Sequence, residues 1–262
     1  PLVFGGTFLV PNQNVGAGAV AMKSGAGNAG FIGLDSIYVK NNLFVGSYDS
    51  SITTAPTTAV AGDDGSIGSN GAIYAKNNEQ IADVLVGPVA PDPDLDDYNR
   101  IDLEQDIPTP DVPAGGGPGP ALSLAKGHPP VTVPASGMLY YSSITLANGA
   151  VLTFDKPCTV FVDGNITFAQ SGEIRANGDV PSNLKLYQRG IGAGIAASSS
   201  NNVTLIGEFV APTSALDVGN NLTIMGSAIF KSIHVKNNAQ LFFDTGLEGF
   251  ESGGSSAVTL VE

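Results

Sequence analysis

The stretch Ile233–Gly246, IHVKNNAQLFFDTG, sets the pattern of the chain: a short strand, an Asn-Asn corner, a second short strand and a glycine turn. Related phrases occur in five other places, as IYVKNNLFVG from Ile37, IYAKNNEQIADVLVG from Ile73, FVDGNITFAQSG from Phe161, SNNVTLIG from Ser200 and LDVGNNLTIMG from Leu216. Asparagine suits such corners because it tolerates positive φ better than other non-glycine residues. The chain is therefore built from a repeated strand–corner–strand unit.

The spacing of the corners predicts an all-β fold, a parallel β-solenoid (β-helix) with coils of about 18 residues. The second residues of the corners follow one another after 36, 87, 37, 19 and 17 positions; they are Asn42, Asn78, Asn165, Asn202, Asn221 and Asn238. All gaps except the 87 lie near one or two multiples of that period. We expect these six side chains to form a structural corner ladder, as amides do in cross-β stacks. The alternative is six unrelated hairpin turns in an ordinary β-sandwich.

Composition fits a thin core and an extracellular type of surface. Apolar residues make up 42% of the chain, but aromatic residues only 7%, and glycine occurs 34 times. Such a mixture suits narrow coils filled by Val, Ile, Leu and Ala better than a broad aromatic core. Charged residues amount to 13%, so the surface depends on Asn, Ser, Thr and Gly. We therefore expect an extracellular or cell-surface location.

Charge and cysteine content exclude several classes of protein. The net charge is −13, and the 11 Lys and Arg residues form no basic cluster, which argues against nucleic-acid binding. The single cysteine, Cys158, excludes an intramolecular disulfide and fits a small buried apolar residue better than a nucleophile. No run is long enough for a transmembrane helix. Because the chain begins at Pro1 rather than Met, we expect that an export signal, a prepilin segment or an anchor preceded it.

Changes in composition divide the chain into five segments. Residues 1–30 form an apolar strand followed by a Gly/Ala-rich arm, and residues 31–87 form a first solenoid part. Residues 88–135 are a Pro/Asp-rich linker or insertion, because 11 of the 17 prolines lie there and proline cannot donate to a sheet ladder. Residues 136–247 form the main solenoid part, and residues 248–262 form a Gly/Ser-rich tail with a terminal strand.

The acidic part of the linker contains a weak candidate metal site. Asp92, Asp94 and Asp96 have the D-x-D-x-D spacing that opens a calcium loop. An EF-hand is rejected, because Asp97 stands where the loop needs glycine and Leu103 where it needs glutamate. A looser Ca²⁺ site and a plain acidic linker both stay open, and no other cofactor is expected.

The second half of the chain resembles the β-solenoid domain of PilX-like pilus-assembly-associated and bacterial cell-surface proteins. Three phrases carry this resemblance: GMLYYSSITLANGAVLTFDKPCTVFVDGNITF, GEFVAPTSALDVGNNLTIMGSAIFKSIHVKNNA and LFFDTGL. The coil-and-Asn pattern is similar, more loosely, to polymer-forming bactofilins. The family closes on His-Tyr-Asp, whereas this chain has Phe242, Phe243 and Asp244. The resemblance implies a surface or pilus-related role and supplies no catalytic residues.

The hypothesis of an enzyme has candidate catalytic residues, but their spacing in the sequence does not place them in one site. A β-helical polysaccharide lyase or hydrolase needs paired carboxylates on adjacent coils, and a lyase also needs a nearby base. The carboxylate candidates occupy different phases of the repeat: Asp155, Asp163, Glu173, Asp179, Glu208, Asp217 and Asp244. Arg175 and Arg189 are the basic candidates. We interpret these acids as solvated turn residues and expect no enzyme.

The remaining motifs have structural explanations. His128 and His234 are the only histidines, and no His/Cys/carboxylate group has zinc spacing. The Asn-x-Ser/Thr sequons at Asn165, Asn202 and Asn221 coincide with the predicted corners, which accounts for them without glycosylation.

These observations favour an extracellular structural protein, either a pilus-associated component or a filament-forming surface subunit. Its expected partners are copies of itself or other surface and pilus proteins, with a glycan as a further candidate ligand. A carbohydrate-binding adhesin is the first alternative, and the polysaccharide-cleaving enzyme is the second. The apolar ends Pro1–Val10 and Ala257–Glu262 either cap the solenoid, exchange strands with a neighbour or remain disordered.

Overall fold

The computed structural model describes residues 30–63, 65–81, 83–86, 119–190, 193–197 and 201–247. Within these ranges the protein is all-β, and its helical pieces are three single 3-10 turns at Asn177–Asp179, Pro181–Asn183 and Thr245–Leu247. No described helix has the length and hydropathy of a membrane span. The predicted terminal strands and the acidic triplet Asp92, Asp94 and Asp96 lie outside the described residues.

The strands form two groups along the chain. The first group is β1 (Phe31–Val39), β2 (Leu43–Tyr48), β3 (Ser66–Ser69), β4 (Ala72–Ala75), β5 (Gln80–Ile81) and β6 (Asp83–Val86). The second group is β7 (Leu122–Leu124), β8 (Met138–Tyr141), β9 (Ile144–Leu146), β10 (Ala150–Leu152), β11 (Cys158–Val162), β12 (Ile166–Phe168), β13 (Ser171–Arg175), β14 (Leu184–Gln188), β15 (Gly194–Ala197) and β16 (Asn202–Asp244). The last is one long extended run that bends at its corners.

Alternation of side chains gives each strand a buried face. In β14, Leu184, Leu186 and Gln188 are fully buried, whereas Lys185 and Tyr187 between them are half-buried on the other face. This period of two is the pattern of a strand that packs one face against a core. The buried faces meet in one apolar cluster, which includes Phe154, Phe209 and Phe230. The sheet nearly closes around this cluster.

Every pairing between these strands is parallel, and the partners lie one repeat apart in the sequence except where β1 and β2 pair with β16. The separation is 17 positions for Asn220 and Asn237, 22 for Thr145 and Thr167, and 36 for Asn41 and Asn77. The predicted period of about 18 residues therefore holds only in part of the chain. Extra residues between strands, such as 49–65 between β2 and β3, lengthen the other repeats.

The strands do not stack in sequence order. β1 pairs with the end of β16, with Phe31 opposite Ala228, and β2 pairs with it where Leu43 lies opposite Ala239. β3 and β4 then pair with β1, and β6 pairs with β3. The N-terminal repeats therefore extend the sheet beyond its C-terminal repeat, a placement that the order of the sequence segments does not indicate.

One strand lies inside the segment 88–135, for which the sequence predicts a linker or insertion. β7 pairs in parallel with β9, and Leu124 is buried in the core. Val133 is also buried, and Val131 makes an isolated parallel bridge to Phe154. Apolar residues at alternate positions thus bring the last part of this segment into the sheet, although four of its prolines lie there as well: Pro120, Pro129, Pro130 and Pro134.

The sheet has two different edges. In its strand order, β6 stands at one end and β7 at the other, although the two strands are consecutive in the described chain. Among the described residues, β4, β5 and β6 are paired on one side only, and so are β7, β8 and β10. Within the part of the chain that the structure describes, each end of the stack therefore presents strand edges with unused backbone donors and acceptors.

Candidate functional site

Two rows of asparagine side chains cross the sheet at one corner. In the outer row, each Nδ2 donates to the Oδ1 of the next residue at 2.6–3.0 Å; the row is Asn78, Asn42, Asn238, Asn221 and Asn202. The inner row repeats this arrangement at 2.5–2.9 Å with Asn77, Asn41, Asn237, Asn220 and Asn201. Ten amides on five successive repeats are thereby joined into two continuous ladders.

The backbone of the corner explains why the sequence uses asparagine there. Asn42, Asn78, Asn221 and Asn238 have φ between 52° and 63°, in the left-handed region. A residue with a short polar side chain visits this region at low cost, and a branched residue does not. Backbone bonds tie neighbouring corners together, as Asn238 N–H donates to the carbonyl of Asn41 at 2.8 Å. Local strain and the ladder thus select the same residue type.

Five of the six predicted ladder residues lie in the outer row, and Asn165 does not. The residue that occupies its repeat in that row is Ser171, which is the register partner of Asn202. Asn165 precedes β12 at another corner, where its Oδ1 accepts a bond from the Gly194 N–H at 3.1 Å. Both corners have the same sequence pattern, a turn followed by alternating apolar residues. Only the strand pairing shows that Asn165 belongs to a different corner from the ladder residues.

Sequence reasoning missed the inner row. The doublet itself was the signal, because Asn41, Asn77 and Asn237 each precede a predicted ladder residue at the same position of the repeat. A groove of about 610 Å³ runs along the two rows and is lined by all of the ladder asparagines except Asn202. Its wall is therefore made entirely of neutral amides that both donate and accept hydrogen bonds.

An aromatic and basic surface adjoins the ladders on three successive repeats. Tyr38 lies opposite His234 on one side and opposite Tyr74 on the other. The two tyrosine rings stack at 4.8 Å, and the His234 ring meets Tyr38 edge-on at 6.3 Å. Two positions further on, an exposed lysine follows each aromatic residue; these lysines are Lys236, Lys40 and Lys76. We call these six residues with the Asn doublets that follow them (237–238, 41–42 and 77–78) the Tyr-Lys-Asn patch.

A second polar cluster is buried where repeats meet at a different corner. Glu208 is 4% exposed and forms an ion pair with Lys185 at 3.4 Å. Burial raises the pKa of Glu208 to about 7; Lys185 opposes this rise, and the Asp244 carboxylate adds to it. Burial lowers the pKa of Lys185 in turn. A carboxyl group that titrates near neutrality is a feature of acid–base sites, so this pair is the strongest feature in favour of an enzyme.

Asp244 and Tyr48 extend this buried cluster. Oδ1 of Asp244 accepts bonds from the backbone N–H groups of Ser50 at 2.9 Å and Gly246 at 3.1 Å. Its Oδ2 and the Tyr48 hydroxyl are buried without a hydrogen-bond partner among the described residues. Burial and the nearby Asp244 raise the pKa of Tyr48 well above its usual range. Asp244 thus fixes the turn after β2 onto the end of β16.

Most of the other predicted carboxylates are held by hydrogen bonds or ion pairs. Arg175 binds Glu173 at 2.7 Å and Asp179 at 2.5 Å. Arg189 binds Asp163 and lies 5.8 Å from the centre of the Phe161 ring. Asp155 accepts a bond from the Val133 N–H at 2.9 Å, and Asp217 lies half-buried on β16. These acids are spread over several corners, and both arginine candidates are engaged in ion pairs.

The histidines and the cysteine occupy separate places. His128 is exposed in the turn after β7, with Nδ1 2.6 Å from the Pro129 carbonyl, whereas His234 belongs to the Tyr-Lys-Asn patch. Burial raises the pKa of the Cys158 thiol to about 12, which keeps it protonated and unreactive. Within the described ranges, no group of three or more His, Cys, Asp or Glu residues is arranged to hold a metal ion.

Part of the chain matches a known protein family. Residues 143–250 match the model of a family described as a domain of unknown function, DUF7305. No curated protein and no solved structure matches the chain. The matched span includes the outer-row residues Asn202, Asn221 and Asn238, whereas Asn42 and Asn78 lie before it. The ladders therefore run from the matched segment into the N-terminal repeats.

Proposed function

We propose that the chain is a β-solenoid that serves as a structural component of an extracellular assembly, either associated with a pilus or forming filaments itself. Three features support the solenoid: parallel pairing of successive repeats, one shared apolar core, and amide ladders that join five repeats. Each repeat contacts its neighbours, so stability comes from stacking, as in other repeat proteins. This architecture suits a rigid rod that carries load or spaces other components.

The observation that carries the assembly role is the pair of unlike edges. All strands are parallel, so the edge formed by β6 on one molecule is compatible with the edge formed by β7 on the next. Such a head-to-tail contact is heterologous, and it generates an open filament unless a rotation closes it into a ring. Strand addition at an exposed edge supplies backbone hydrogen bonds for this contact. The two ends of the stack thus provide a route to polymerisation.

Ser123 at the centre of β7 makes this proposal testable. Leu122 N–H donates to the Ser143 carbonyl, and the Leu124 carbonyl accepts from Ala147 N–H, so both neighbours bond towards β9. In a parallel ladder the intervening residue directs its own N–H and C=O to the opposite side. Ser123 is exposed and therefore presents these groups at the free edge.

Electron microscopy of the purified protein, combined with sedimentation, tests the assembly role. We expect rods or filaments whose length grows with protein concentration. Ser123→Pro removes the free donor without removing a bond to β9, so it should give a folded monomer by circular dichroism. Ser123→Ala keeps the donor and should assemble like the unmodified protein. A protein that stays monomeric at every concentration would contradict the proposal and favour ends capped by its own termini.

Surface composition and the pilus-like phrases in the second half support the extracellular location. A carbohydrate-binding adhesin is the second candidate, favoured by the stacked tyrosines Tyr38 and Tyr74 on an exposed face. Catalysis is not part of the proposal, because the predicted acids are spread over several corners and most of them bind basic side chains or backbone groups. Cleavage of polysaccharide by the purified protein would overturn that choice.

A further inference from the structure

We propose that the Tyr-Lys-Asn patch binds an anionic polysaccharide. The patch repeats one set of side chains on three neighbouring strands: an aromatic residue, a lysine and two asparagines. A regular array of this kind fits a polymer whose own groups recur at short intervals, with each repeat contacting one or two sugar residues. The inference concerns a lateral face and is independent of assembly at the ends.

The lysine column is the first argument. Backbone bonds place Lys40 next to Val235 at 3.0 Å and Lys76 next to Val39 at 3.2 Å, so the lysines follow Val235, Val39 and Ala75 at successive strands. Neighbouring strands lie about 4.8 Å apart, and like charges placed opposite one another destabilise a sheet. No described carboxylate lies within ion-pair distance of these three ammonium groups. An anionic ligand would relieve this repulsion.

The column stands out against the charge of the chain. The protein has a net charge of −13 and only 11 basic side chains, and three of these lie on one exposed face. By contrast, Arg175, Arg189 and Lys185 are each paired with an acid, and Lys231 lies 3.7 Å from Asp35. A basic patch on an acidic protein defines a local site for a partner of negative charge.

The asparagines supply fixed hydrogen-bond donors beside the lysines. Asn41, Asn42, Asn237 and Asn238 each use one N–H and one lone pair of the oxygen within their row, and the end residues Asn77 and Asn78 use one N–H. Each of these amides therefore keeps its second N–H for a ligand. The ladder holds these amides in one orientation, as in the 2.8 Å bond from Asn77 to Asn41, so little entropy is lost on binding. Tyr38, with 40% of its surface exposed, adds a hydroxyl group and an aromatic edge. Together these groups suit carboxylate or sulfate oxygens and sugar hydroxyls.

The charges of the patch and of the whole chain favour an acidic polysaccharide over other polymers as the ligand. A neutral glycan would leave the three lysines uncompensated. A nucleic acid carries charge at every phosphate and would meet strong repulsion from the rest of this acidic chain. An acidic polysaccharide carries fewer charges and offers hydroxyl groups to the amides. Glu79, directly after Asn78, is the acidic residue nearest to the patch in sequence, and it is half-exposed.

Binding of polygalacturonate, dextran sulfate and neutral dextran to the full chain tests the proposal. Binding is measured by biolayer interferometry in about 0.1 M salt. At this salt concentration the Debye length is about 10 Å, so contacts between opposite charges are only partly screened. We expect binding to one or both charged polysaccharides and none to dextran. The variant Lys40→Gln/Lys76→Gln/Lys236→Gln should bind at least about tenfold more weakly, because three exposed ion pairs together contribute about that much.

A matched variant controls for net charge. Lys126→Gln/Lys156→Gln/Lys231→Gln removes three exposed charges elsewhere and should bind within about twofold of the unmodified protein. Neither triple variant should lower the melting temperature by more than a few degrees, because all six side chains are exposed. Equal losses in the two variants, no loss in the patch variant, absence of binding to both charged polysaccharides, or equally tight binding of double-stranded DNA would overturn the proposal.

Discussion

Nδ2 of Asn41 donates a hydrogen bond of 2.5 Å to Oδ1 of Asn237, a residue 196 positions later in the chain. This bond joins the N-terminal repeat to the C-terminal one within the inner amide ladder. The same two repeats are joined in the outer row by Asn42 and Asn238 at 2.6 Å. The chain therefore extends its stack at the C-terminal end with strands made from its own N-terminal part.

The ladder predicts that each corner contributes measurably to the free energy of unfolding. Asn221→Leu should lower the free energy of unfolding by about 1–3 kcal/mol, because the amide bonds to Asn202 and Asn238 are lost and leucine is strained at a φ of 52°. Urea denaturation measures this change. Asn221→Gly loses the same bonds but accepts the backbone conformation, so it should destabilise less. An unchanged melting temperature for Asn221→Leu would contradict the placement of Asn221 in the ladder.

Contact between neighbouring glycines predicts a much larger effect at Gly226. A Cβ atom there would lie 2.2 Å from the Gly207 carbonyl oxygen, and φ is 121°, which side chains rarely adopt. Gly226→Ala should therefore cost about 3 kcal/mol or more, as clash and backbone strain add. Gly178→Ala is the matched control, because φ is 66° but nothing lies within 4 Å. Equal losses in thermal unfolding would contradict the close approach of these two repeats.

The buried Glu208 predicts a pH-dependent contribution to stability. The unfolded chain releases its proton near the ordinary pKa of 4.5, whereas the folded protein holds it up to about pH 7. The free energy of unfolding should therefore fall as pH rises between these values, by about 3 kcal/mol from this group. Lys185, Asp244 and Tyr187 share its surroundings and modify the size of the change.

Comparison of Glu208→Gln with the unmodified protein isolates this contribution. The glutamine variant should gain relative stability at about pH 8 compared with about pH 5, because it has no charge to desolvate. Parallel pH profiles for Glu208→Gln and the unmodified protein would show that Glu208 titrates normally.

The sequence predicted the repeat and the corner residues because both have local causes. Positive φ selects asparagine at Asn42, Asn221 and Asn238, and alternation selects apolar residues in the flanking strands. Asn165 has a similar sequence context at a different corner, although its φ is not positive, so the sequence pattern alone assigned it to the ladder. The inner row, which includes Asn41, has a signal in the Asn-Asn doublets, but the spacing of one Asn per corner does not predict a second ladder.

The order of stacking had no local signal. Each repeat has similar edges, and the preference of β1 for β16 depends on packing between side chains far apart in sequence, such as Gly30 against Phe243. The burial of Glu208 likewise arises from tertiary contacts at the corner near Asp244. In sequence it resembles the other turn carboxylates, and only the neighbouring repeats make it different.

Disulfide trapping tests the stacking order most directly. In Asn41→Cys/Asn237→Cys the two Cα atoms lie one strand spacing apart, about 4.8 Å, which permits a disulfide. In Asn41→Cys/Asn220→Cys they lie two spacings apart, beyond the reach of one. Cys158 stays inert in both because it is buried. We predict rapid intrachain oxidation of the 41/237 pair, detected by mass spectrometry, and none for the 41/220 pair. Failure of the 41/237 pair to oxidise, while Asn220→Cys/Asn237→Cys does so, would contradict the placement of the N-terminal repeat on the C-terminal one.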